Sequence, residues 1–489
     1  MPIDPAQYRT PLFDAMISLA EARKVSFHTP GHKSGKGIAT RFVKYVGPNI
    51  FSIDLTTLDE VDSLQRPKGV IKEAQELAAK AYGADRSFFL VNGTTGGNHA
   101  MVMTAVNPGS GILMARNCHK SVLAGTVLAG ATPHFMYPVV DSGLMMTLNV
   151  TFDAVKKAVD EHPWIKVLFV TSPNYYGICA DLPKIIALAH ERDMTMLVDE
   201  AHGPHLGFHP ELPSSAIAAG ADICVQSTHK IIGGMTQASM MHARAPRVDM
   251  EMLAGVLKSI QTTSPSYILM ASLDLARMQM ATEGEKLLGK ALMLARKARE
   301  EINRIPGLKC LTRDEVLERD MGDLDETKLT INVSGLGMSG YDVSQTLNLT
   351  HDIQVEMADP FHVLVIVSIG DRQEDLDRLV RALDVIAAKP AVSGYAPGAW
   401  ESVKPSFKNI PGLTPREAFF APVEYVEVDA AKGRLSSEIV TVYPPGIPLL
   451  VPGEVITEEV IANLKVVAEL GGTVDGLSDE GHMGVVMGQ

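Results

Sequence analysis

The chain has 489 residues, about three times a typical domain length, which predicts two or three domains and excludes a small disulfide-stapled scaffold. Its 46% hydrophobic and 21% charged residues exclude general disorder. The net charge of −13 argues against a nucleic-acid partner, because phosphate contacts need a basic face, and it weakly favours cationic small molecules. Four scattered cysteines without a C-x-x-C pair predict a reducing compartment.

No export or membrane segment is visible in the sequence. Asp4, Arg9 and Asp14 interrupt the N-terminal region where a signal peptide needs an apolar run. The most apolar stretches, such as residues 363–369, are far shorter than the run of about 20 residues that spans a bilayer. We therefore predict a cytoplasmic protein with no membrane partner.

Five short apolar runs between residues 86 and 243 alternate with amphipathic stretches, a pattern typical of a mostly parallel sheet with crossover helices. The predicted strands are SFFLV, GILMA, KVLFV, TMLVD and DICVQ. Each is followed by a polar or glycine-containing segment: NGTTGGN, RNCHKS, TSPNYYG, DEAHG and STHK. Ligands of open α/β sheets bind at the carboxyl ends of the strands, so these segments are predicted to converge on one crevice.

The second half of the chain predicts further, smaller units. Residues 266–304 have the composition and spacing of long helices. KLTINVSG, DIQVEMA and HVLVIVSIG are predicted strands, and DRQEDLDRLVRALDVIAA is a predicted amphipathic helix of a smaller α/β domain. The Pro- and Gly-rich residues 389–415 are predicted to form a linker or long loop before a last unit.

The segment VQSTHKIIGGMTQAS, residues 225–239, places Lys230 just after a predicted strand. A lysine there can form an imine with a carbonyl cofactor, and Asp199, at the end of TMLVD, can pair with a protonated pyridine nitrogen. Either residue alone is better explained as a surface lysine or a helix cap. Taken with the neighbouring segments, the pair favours a cofactor site.

The glycine-rich segment NGTTGGN, residues 92–98, follows a predicted strand and precedes a predicted helix. Its amides and hydroxyls suit a phosphate at a helix N-terminus, but an ordinary glycine turn with a threonine cap explains the segment equally well. The chain has no G-x-G-x-x-G at this point, and GHKSGKG lacks the spacing of a P-loop.

His202, His205 and His209 have the spacing of metal ligands on a helix, but the glycines and prolines among them interrupt any helix. We therefore predict no metal site, and instead a loop in which His202 faces the crevice near Asp199. His119, after GILMA, is either a polar loop residue or a group that lies flat on a planar ring. Its place in the predicted crevice favours the second role.

Residues 225–239 resemble, position by position, the lysine-attachment signature of the Orn/Lys/Arg decarboxylases, which use pyridoxal 5′-phosphate. The resemblance extends to FHTPGHKSGKG, SIDLTTLDEVDSL, NGTTGGN, RNCHKS, TSPNYYG, VDEAHG, TTSPSYILMASLD and YPPGIPLLVPGE, and so covers nearly the whole chain. The chain looks most like the short bacterial branch typified by arginine decarboxylases, without the N-terminal wing domain of larger relatives.

The resemblance implies an α/β fold of the aspartate-aminotransferase type, which is fold type I of the pyridoxal-phosphate enzymes. A mostly parallel sheet domain is expected, followed by smaller C-terminal α/β domains. The expected divisions are an N-terminal segment lining the site, a large cofactor-binding domain, a small α/β domain and a C-terminal domain, at residues 1–55, 56–272, 273–395 and 396–489.

The resemblance also implies residue roles: Lys230 attaches the cofactor, Asp199 binds its pyridine nitrogen and His119 stacks on its ring. The implied phosphate-binding positions, with one glycine of the same loop, are Thr94, Thr95, Ser227, His229 and Gly96. Threonine stands at Thr95 where the family usually has serine, and it keeps the hydroxyl. His202 matches a position near the ring hydroxyl.

Residues 262–264 resemble a segment that reaches the phosphate of a neighbouring subunit. The expected assembly is therefore a homodimer or a dimer of dimers with active sites at the subunit interface. The substrate is expected to be a basic amino acid.

The implied reaction is decarboxylation of L-arginine to agmatine and carbon dioxide, a step of polyamine biosynthesis, with Lys230 or His229 nearest to protonate Cα. Lysine or ornithine decarboxylation is the near alternative. An aminotransferase, a carbon–sulfur lyase and a silent relative that binds partners or polyamines are the remaining ones.

The distal cation of a basic substrate needs an acidic partner, because a buried unpaired charge is costly. The loop carboxylates considered for this role are Asp54, Glu356, Asp359 and Glu454. Glu454 is the first choice.

Overall fold

A computed structural model describes residues 3–389, 400–401, 404, 410–443 and 447–488. Most of the predicted linker at 389–415 and part of YPPGIPLLVPGE therefore lie outside the described residues. The chain forms two units, residues 1–104 with 198–288 and residues 105–197 with 289–489. The four domain divisions expected from the sequence stay a prediction.

The helices of the described chain, in order, are α1 Pro11–Glu21, α2 Thr40–Val46, α3 Asn49–Ser52, α4 Val70–Tyr82, α5 Gly93–Ala105, α6 Lys120–Ala129, α7 Phe152–Glu161, α8 Leu182–Glu191, α9 Ala216–Ala219, α10 Thr228–Ile231, α11 Met250–Ile260, α12 Tyr267–Ile302, α13 Arg313–Leu317, α14 Gly340–His351, α15 Gln373–Ala387, α16 Pro415–Phe420 and α17 Glu458–Glu469. None of the helices among the described residues is long and apolar enough to cross a membrane.

The strands are β1 Arg86–Leu90, β2 Gly111–Ala115, β3 Thr132–Met136, β4 Val140–Asp141, β5 Met146–Thr147, β6 Val167–Thr171, β7 Ile178–Cys179, β8 Thr195–Asp199, β9 Ile223–Gln226, β10 Ser239–Ala243, β11 Lys309–Cys310, β12 Asp323–Leu324, β13 Lys328–Asn332, β14 Met357–Ala358, β15 His362–Ile366, β16 Val423–Val426, β17 Val440–Tyr443, β18 Ile447–Leu450, β19 Thr473–Asp475 and β20 Met483–Val486. The five strands predicted between residues 86 and 243 are β1, β2, β6, β8 and β9, each within one residue of its predicted start.

In the first unit, β10 lies between β1 and β9 and is antiparallel to both. The sequence SMMHA of β10 was not predicted as a strand, because buried methionines carry little β propensity and the run does not alternate. Antiparallel β10 brings the chain back beside β1 after the segment that contains Lys230. The polar segments that follow β8 and β9 therefore stay together in this unit.

The N-terminal segment is fixed to α12 by hydrogen bonds to a buried ion pair that lies within α12. Asp274 Oδ2 accepts from the backbone N of Leu12 (3.1 Å), so α12 supplies the cap that α1 lacks in its own sequence. Arg277 donates to Asp274 Oδ1 (2.6 Å) and to the carbonyl of Gln7 (2.6 Å). These contacts hold the N-terminal segment against an apolar cluster that includes Phe89 and other buried residues.

The second unit contains the parallel strands β6, β2 and β3, in that order. A separate antiparallel sheet has the order β11-β13-β15-β14 and includes the three strands predicted from the second half of the sequence. The predicted amphipathic helix is α15, and its Leu376, Leu379 and Leu383 join the buried cluster of this sheet. Near the C-terminus, β17 pairs with β18 and β19, and β16 pairs with β20.

Candidate active site

The segments that follow β8 and β9 run side by side at one edge of the first unit. The backbone N of Glu200 donates to the carbonyl of Val225 (3.0 Å). Asp199 is the last residue of β8, and Lys230 lies on the short helix α10 just after β9. The predicted carboxylate and the predicted amine are therefore carried by neighbouring strand ends.

Lys230 contacts the loop that follows β8. Its Nζ lies 2.7 Å from Nε2 of His202, which is buried. An ammonium group can only donate, so Nε2 of His202 is the acceptor when Lys230 is charged. A proton can therefore pass between the amine of Lys230 and the imidazole of His202.

Asp199 is buried and held by two donors. Its Oδ2 accepts from Nδ2 of Asn98 (2.9 Å), and its Oδ1 accepts from the backbone N of Ala201 (3.0 Å). Both contacts fix the orientation of the carboxyl group. Sequence reasoning missed Asn98, although its place four residues after Thr94 on an inward helix face was a usable signal.

The N-terminus of α5 forms a polar cradle with the segment after β9. Thr94 Oγ1 lies 3.0 Å from Ser227 Oγ. Gly97 permits this approach, because a Cβ there would lie 2.3 Å from Cγ2 of Val225. Gly96 is buried in the same turn, and Thr95 is exposed. Two hydroxyls at a helix N-terminus suit a phosphate group.

The histidines of the prediction occupy different places. Nδ1 of His229 donates to the carbonyl of Ala238 (3.0 Å). Its Nε2 is therefore the ring nitrogen that can contact a bound molecule. His205 is buried in the loop after β8, and His209 accepts from the backbone N of Glu211 (3.2 Å). Across the described ranges, no group of three or more His, Cys, Asp or Glu residues is arranged to hold a metal ion.

His119 belongs to the second unit, where it caps α6. Its Nδ1 accepts from the backbone N of Ser121 (3.2 Å) and lies 2.7 Å from the Ser121 hydroxyl. Because the amide can only donate, Nδ1 carries no proton, and the proton of a neutral ring is on Nε2. The capping contacts fix both the backbone and the ring of His119, and its stacking role stays a prediction.

The groups of the first unit fit pyridoxal 5′-phosphate. The amine of Lys230 suits its aldehyde, the oriented carboxylate of Asp199 suits its ring nitrogen, and the hydroxyls of Thr94 and Ser227 suit its phosphate. Thr228 Oγ1, also in this segment, is buried and has no hydrogen-bond partner among the described residues.

Two of the four carboxylates considered for the substrate's distal cation are already engaged by protein groups. Glu454, the first choice, forms a buried ion pair with Arg116 (3.1 Å). Asp359 accepts from the hydroxyl of Tyr176 (2.6 Å), and its Oδ1 lies 3.1 Å from Nδ1 of His362. Burial opposes ionisation of Asp359, but His362 and Tyr176 hold its pKa below the usual value. Glu454 is thus engaged by Arg116, and its role at the substrate's distal cation stays a prediction.

The other two candidates are more accessible. Asp54 Oδ2 lies 3.0 Å from Nε2 of His32, and its side chain keeps 37% of its surface exposed. Glu356 is exposed. Among the residues that the structure describes, no arginine forms an ion pair with Asp54 or Glu356.

Comparison with protein families places this site in a known group. Residues 10–375 match the Orn/Lys/Arg decarboxylase major domain, and residues 402–488 match the C-terminal domain of the same family. The chain belongs to the Orn/Lys/Arg decarboxylase family. The predicted family, the class of amino-acid carboxy-lyase and the pyridoxal-phosphate cofactor are thereby confirmed.

Similar proteins support both the family and the fold. An arginine decarboxylase of Halalkalibacterium halodurans is 43% identical over 97% of this chain and 96% of its own length. The lysine decarboxylase of Francisella novicida has a TM-score of 0.83 at 23% identity, covering 97% of this chain and 80% of that structure. An alanine–glyoxylate aminotransferase from Nostoc sp. has a TM-score of 0.54 at 18% identity, covering 66% of this chain and 88% of that structure. The predicted aminotransferase-like fold is confirmed.

Proposed function

We propose that this chain decarboxylates L-arginine to agmatine and carbon dioxide, a step of polyamine biosynthesis. The observation that carries the proposal is the full set of Lys230, Asp199 and the Thr94–Ser227 cradle in a chain 43% identical to an arginine decarboxylase. The lysine decarboxylase is less similar, at 23% identity, so its substrate is the weaker candidate.

Pyridoxal 5′-phosphate, when bound, supplies an electron sink for the pair released as carbon dioxide leaves. Lys230 would supply the amine that holds the cofactor, and Asp199, held between Asn98 and Ala201, would pair with its ring nitrogen. Thr94 and Ser227 hold the phosphate at the start of α5.

Protonation of the substrate Cα is assigned to Lys230, with His229 as the second candidate. The contact between Nζ of Lys230 and Nε2 of His202 lets the imidazole take and return the lysine proton. His229 has its Nδ1 engaged by Ala238, so only its Nε2 is available for the same task. His119 is assigned the role of stacking on the cofactor ring.

We assign a homodimer, or a dimer of dimers, with active sites at the subunit interface. Residues 262–264 lie in the exposed turn between α11 and α12, where a second subunit can reach them. The carbonyl of Thr262 accepts from Nε2 of Gln65 (2.8 Å), which fixes the base of the turn.

A substrate panel tests the proposed function. The cofactor-loaded enzyme is given arginine, lysine or ornithine, and carbon dioxide, agmatine, cadaverine, putrescine and keto acids are quantified. We expect agmatine and carbon dioxide in equal amounts, with arginine preferred. Predominant cadaverine would identify lysine as the substrate, and predominant putrescine would identify ornithine. Keto acid formed without carbon dioxide would identify an aminotransferase. Lys230→Ala is the matched control and should lose both turnover and the visible absorption of the bound cofactor.

A further inference from the structure

Arg116 is a buried arginine that no step of the proposed reaction uses. It directly follows β2 and begins the segment that ends at His119, and its side chain is 2% exposed. Its backbone N donates to the carbonyl of Met136 (2.8 Å), and its guanidinium lies over the ring of Phe135. The residue is therefore fixed at its backbone as well as at its side chain.

The guanidinium of Arg116 points into the C-terminal part of the same unit. Nη1 donates to the carbonyl of Pro448 (2.5 Å), and Nη2 donates to the carbonyl of Leu449 (3.1 Å) and to Oε2 of Glu454 (3.1 Å). Glu454 is itself buried and accepts from the backbone N of Val451 (2.8 Å). The side chain of Arg116, just after β2, thus donates to three acceptors within residues 447–454, which comprise β18 and the turn that follows it.

The residues between Arg116 and His119 are held by hydrogen bonds as well. Asn117 Nδ2 donates to the carbonyl of Leu148 (3.2 Å), which also accepts from Nδ2 of Asn174 (3.0 Å) on the loop after β6. The backbone N of Cys118 donates to Ala115 (3.1 Å). Each residue from Arg116 to His119 therefore makes at least one hydrogen bond, and a displacement of Arg116 would be passed along this short segment to His119.

A buried ion pair of this kind is poorly explained by stability alone. Apolar residues of similar volume often stabilise a core as well as a buried ion pair does, whereas removal of one partner leaves an uncompensated charge. What a planar guanidinium adds is direction, because its donors are set at fixed angles. The arrangement therefore fixes where residues 116–119 lie relative to residues 447–454.

We infer that Arg116 and Glu454 are positioning residues for His119, through which the C-terminal segment 447–454 sets the place of the predicted ring-stacking histidine. The inference rests on the proposed function, because it assigns His119 to the cofactor ring. It also gives Glu454 a role different from binding the substrate's distal cation.

A double-mutant cycle tests the inference in the holoenzyme. If Glu454 acts through His119, Glu454→Gln should lower kcat about 10- to 100-fold, as a small misplacement of a catalytic group does, with little change in KM for arginine. The same substitution added to His119→Ala should have almost no further effect. Arg116→Lys, which keeps the charge but loses the planar fork, should give an intermediate loss.

Hydrogen–deuterium exchange gives a readout independent of turnover. In Glu454→Gln, exchange should rise in a peptide covering residues 116–123 and stay unchanged in a peptide covering α8 of the same unit. The matched control is Ile456→Ala, a buried core residue two positions after Glu454 in the sequence. It should lower the unfolding temperature without changing kcat or exchange at residues 116–123.

Three results would overturn the inference: additive effects of Glu454→Gln and His119→Ala, unchanged exchange at residues 116–123, or a rise in KM with kcat unchanged. The last would return Glu454 to substrate binding. If the wild-type enzyme forms no agmatine, the proposed function fails, and the exchange experiment still decides whether the ion pair holds the loop.

Discussion

At the scale of single residues, Asn98 and His202 determine how the two charged groups of the site are presented. Asn98 donates to Asp199, and Nε2 of His202 lies 2.7 Å from Nζ of Lys230. Asp199 is buried, so loss of its side-chain donor would leave a carboxylate oxygen unsatisfied, at a cost of about 1–3 kcal/mol. Loss of this donor would therefore disturb the orientation of Asp199, which is assigned to the cofactor's ring nitrogen.

We therefore predict that Asn98→Ala weakens pyridoxal-phosphate binding by roughly 10-fold, because Asp199 loses one of its two donors. The dissociation constant is measured by titrating apoenzyme with cofactor and following its visible absorption. Thr104→Ala is the matched control on the same helix: the Thr104 hydroxyl is buried without a hydrogen-bond partner in the described structure, so its removal should leave the constant unchanged. Equal affinity in wild type and Asn98→Ala would contradict the role of Asn98.

At the scale of secondary-structure elements, the site depends on how closely α5 approaches β9. Gly97 allows Thr94 to reach Ser227, since a Cβ at that position would lie 2.3 Å from Cγ2 of Val225 and 2.9 Å from Cδ1 of Leu90. Both contacts are far shorter than a van der Waals separation, so any larger residue forces the helix away from the strand.

Gly97→Ala should destabilise the protein by about 1–3 kcal/mol, and it should weaken cofactor binding because the Thr94–Ser227 cradle opens. Gly255→Ala, in the middle of α11, is the matched control, because nothing lies within 4 Å of its added Cβ. That substitution should stabilise the protein by about 0.5–1 kcal/mol through helix propensity. Thermal unfolding and cofactor titration of both variants check the pair, and equal behaviour of the two would refute the close-approach argument.

A chain of buried polar side chains crosses the strands of the first unit. Nε2 of Gln226 donates to Oε2 of Glu200 (2.7 Å), Nε2 of His242 donates to Oε1 of Gln226 (3.2 Å), and the Ser87 hydroxyl donates to Nδ1 of His242 (2.7 Å). Burial raises the pKa of Glu200 to about 8 and lowers the pKa of His242 to about 3. Both Glu200 and His242 are therefore largely uncharged between about pH 3 and about pH 8.

Glu200 makes stability depend on pH. Its pKa is higher in the folded chain than its ordinary value of 4.5, so unfolding releases a proton between pH 4.5 and about 8. Folded-state stability should fall as pH rises through that window, by on the order of several kcal/mol. Glu200→Gln removes this contribution, so the difference in unfolding midpoint between wild type and variant should change steadily from pH 5 to pH 8. The exposed substitution Glu285→Gln serves as the control, and a constant difference for Glu200→Gln would count against the assignment.

At the scale of the whole molecule, the N-terminal segment exposes apolar side chains that a single chain would normally bury. Phe27 is 92% exposed and Tyr45 is 90% exposed, both within the segment 1–55 that is predicted to line the site. Clustered exposed apolar groups mark interaction surfaces. The proposed homodimer gives these side chains a partner of the required chemistry.

Replacement of Phe27 and Tyr45 by serine should therefore weaken self-association at least 10-fold, since each removes a large apolar area from an interface. Sedimentation velocity over a range of protein concentrations measures the effect. Leu349→Ser removes an apolar side chain that is also highly exposed, at 72%, but lies outside the segment, and it should leave association unchanged. An unaltered dimer in the double variant would exclude this segment from the interface.

The sequence alone determined five strands of the main sheet, the positions of Asp199 and Lys230 at and just after neighbouring strand ends, and the family. These signals are local: a buried strand is a short apolar run, and the lysine and aspartate each occupy the end of such a run. The same local interpretation predicted a loop rather than a helix at His202, His205 and His209, because glycine and proline interrupt a helix.

The tertiary structure alone decided which groups satisfy the charged side chains. Asn98 meets Asp199 across 101 residues of sequence, and Arg116 meets Glu454 across 338 residues. Neither local sequence marks Arg116 as the partner of Glu454, and the sequence therefore favoured Glu454 for the substrate's distal cation. A buried charge must be paired, but which group pairs with it depends on how distant segments pack, and only the folded chain settles that choice.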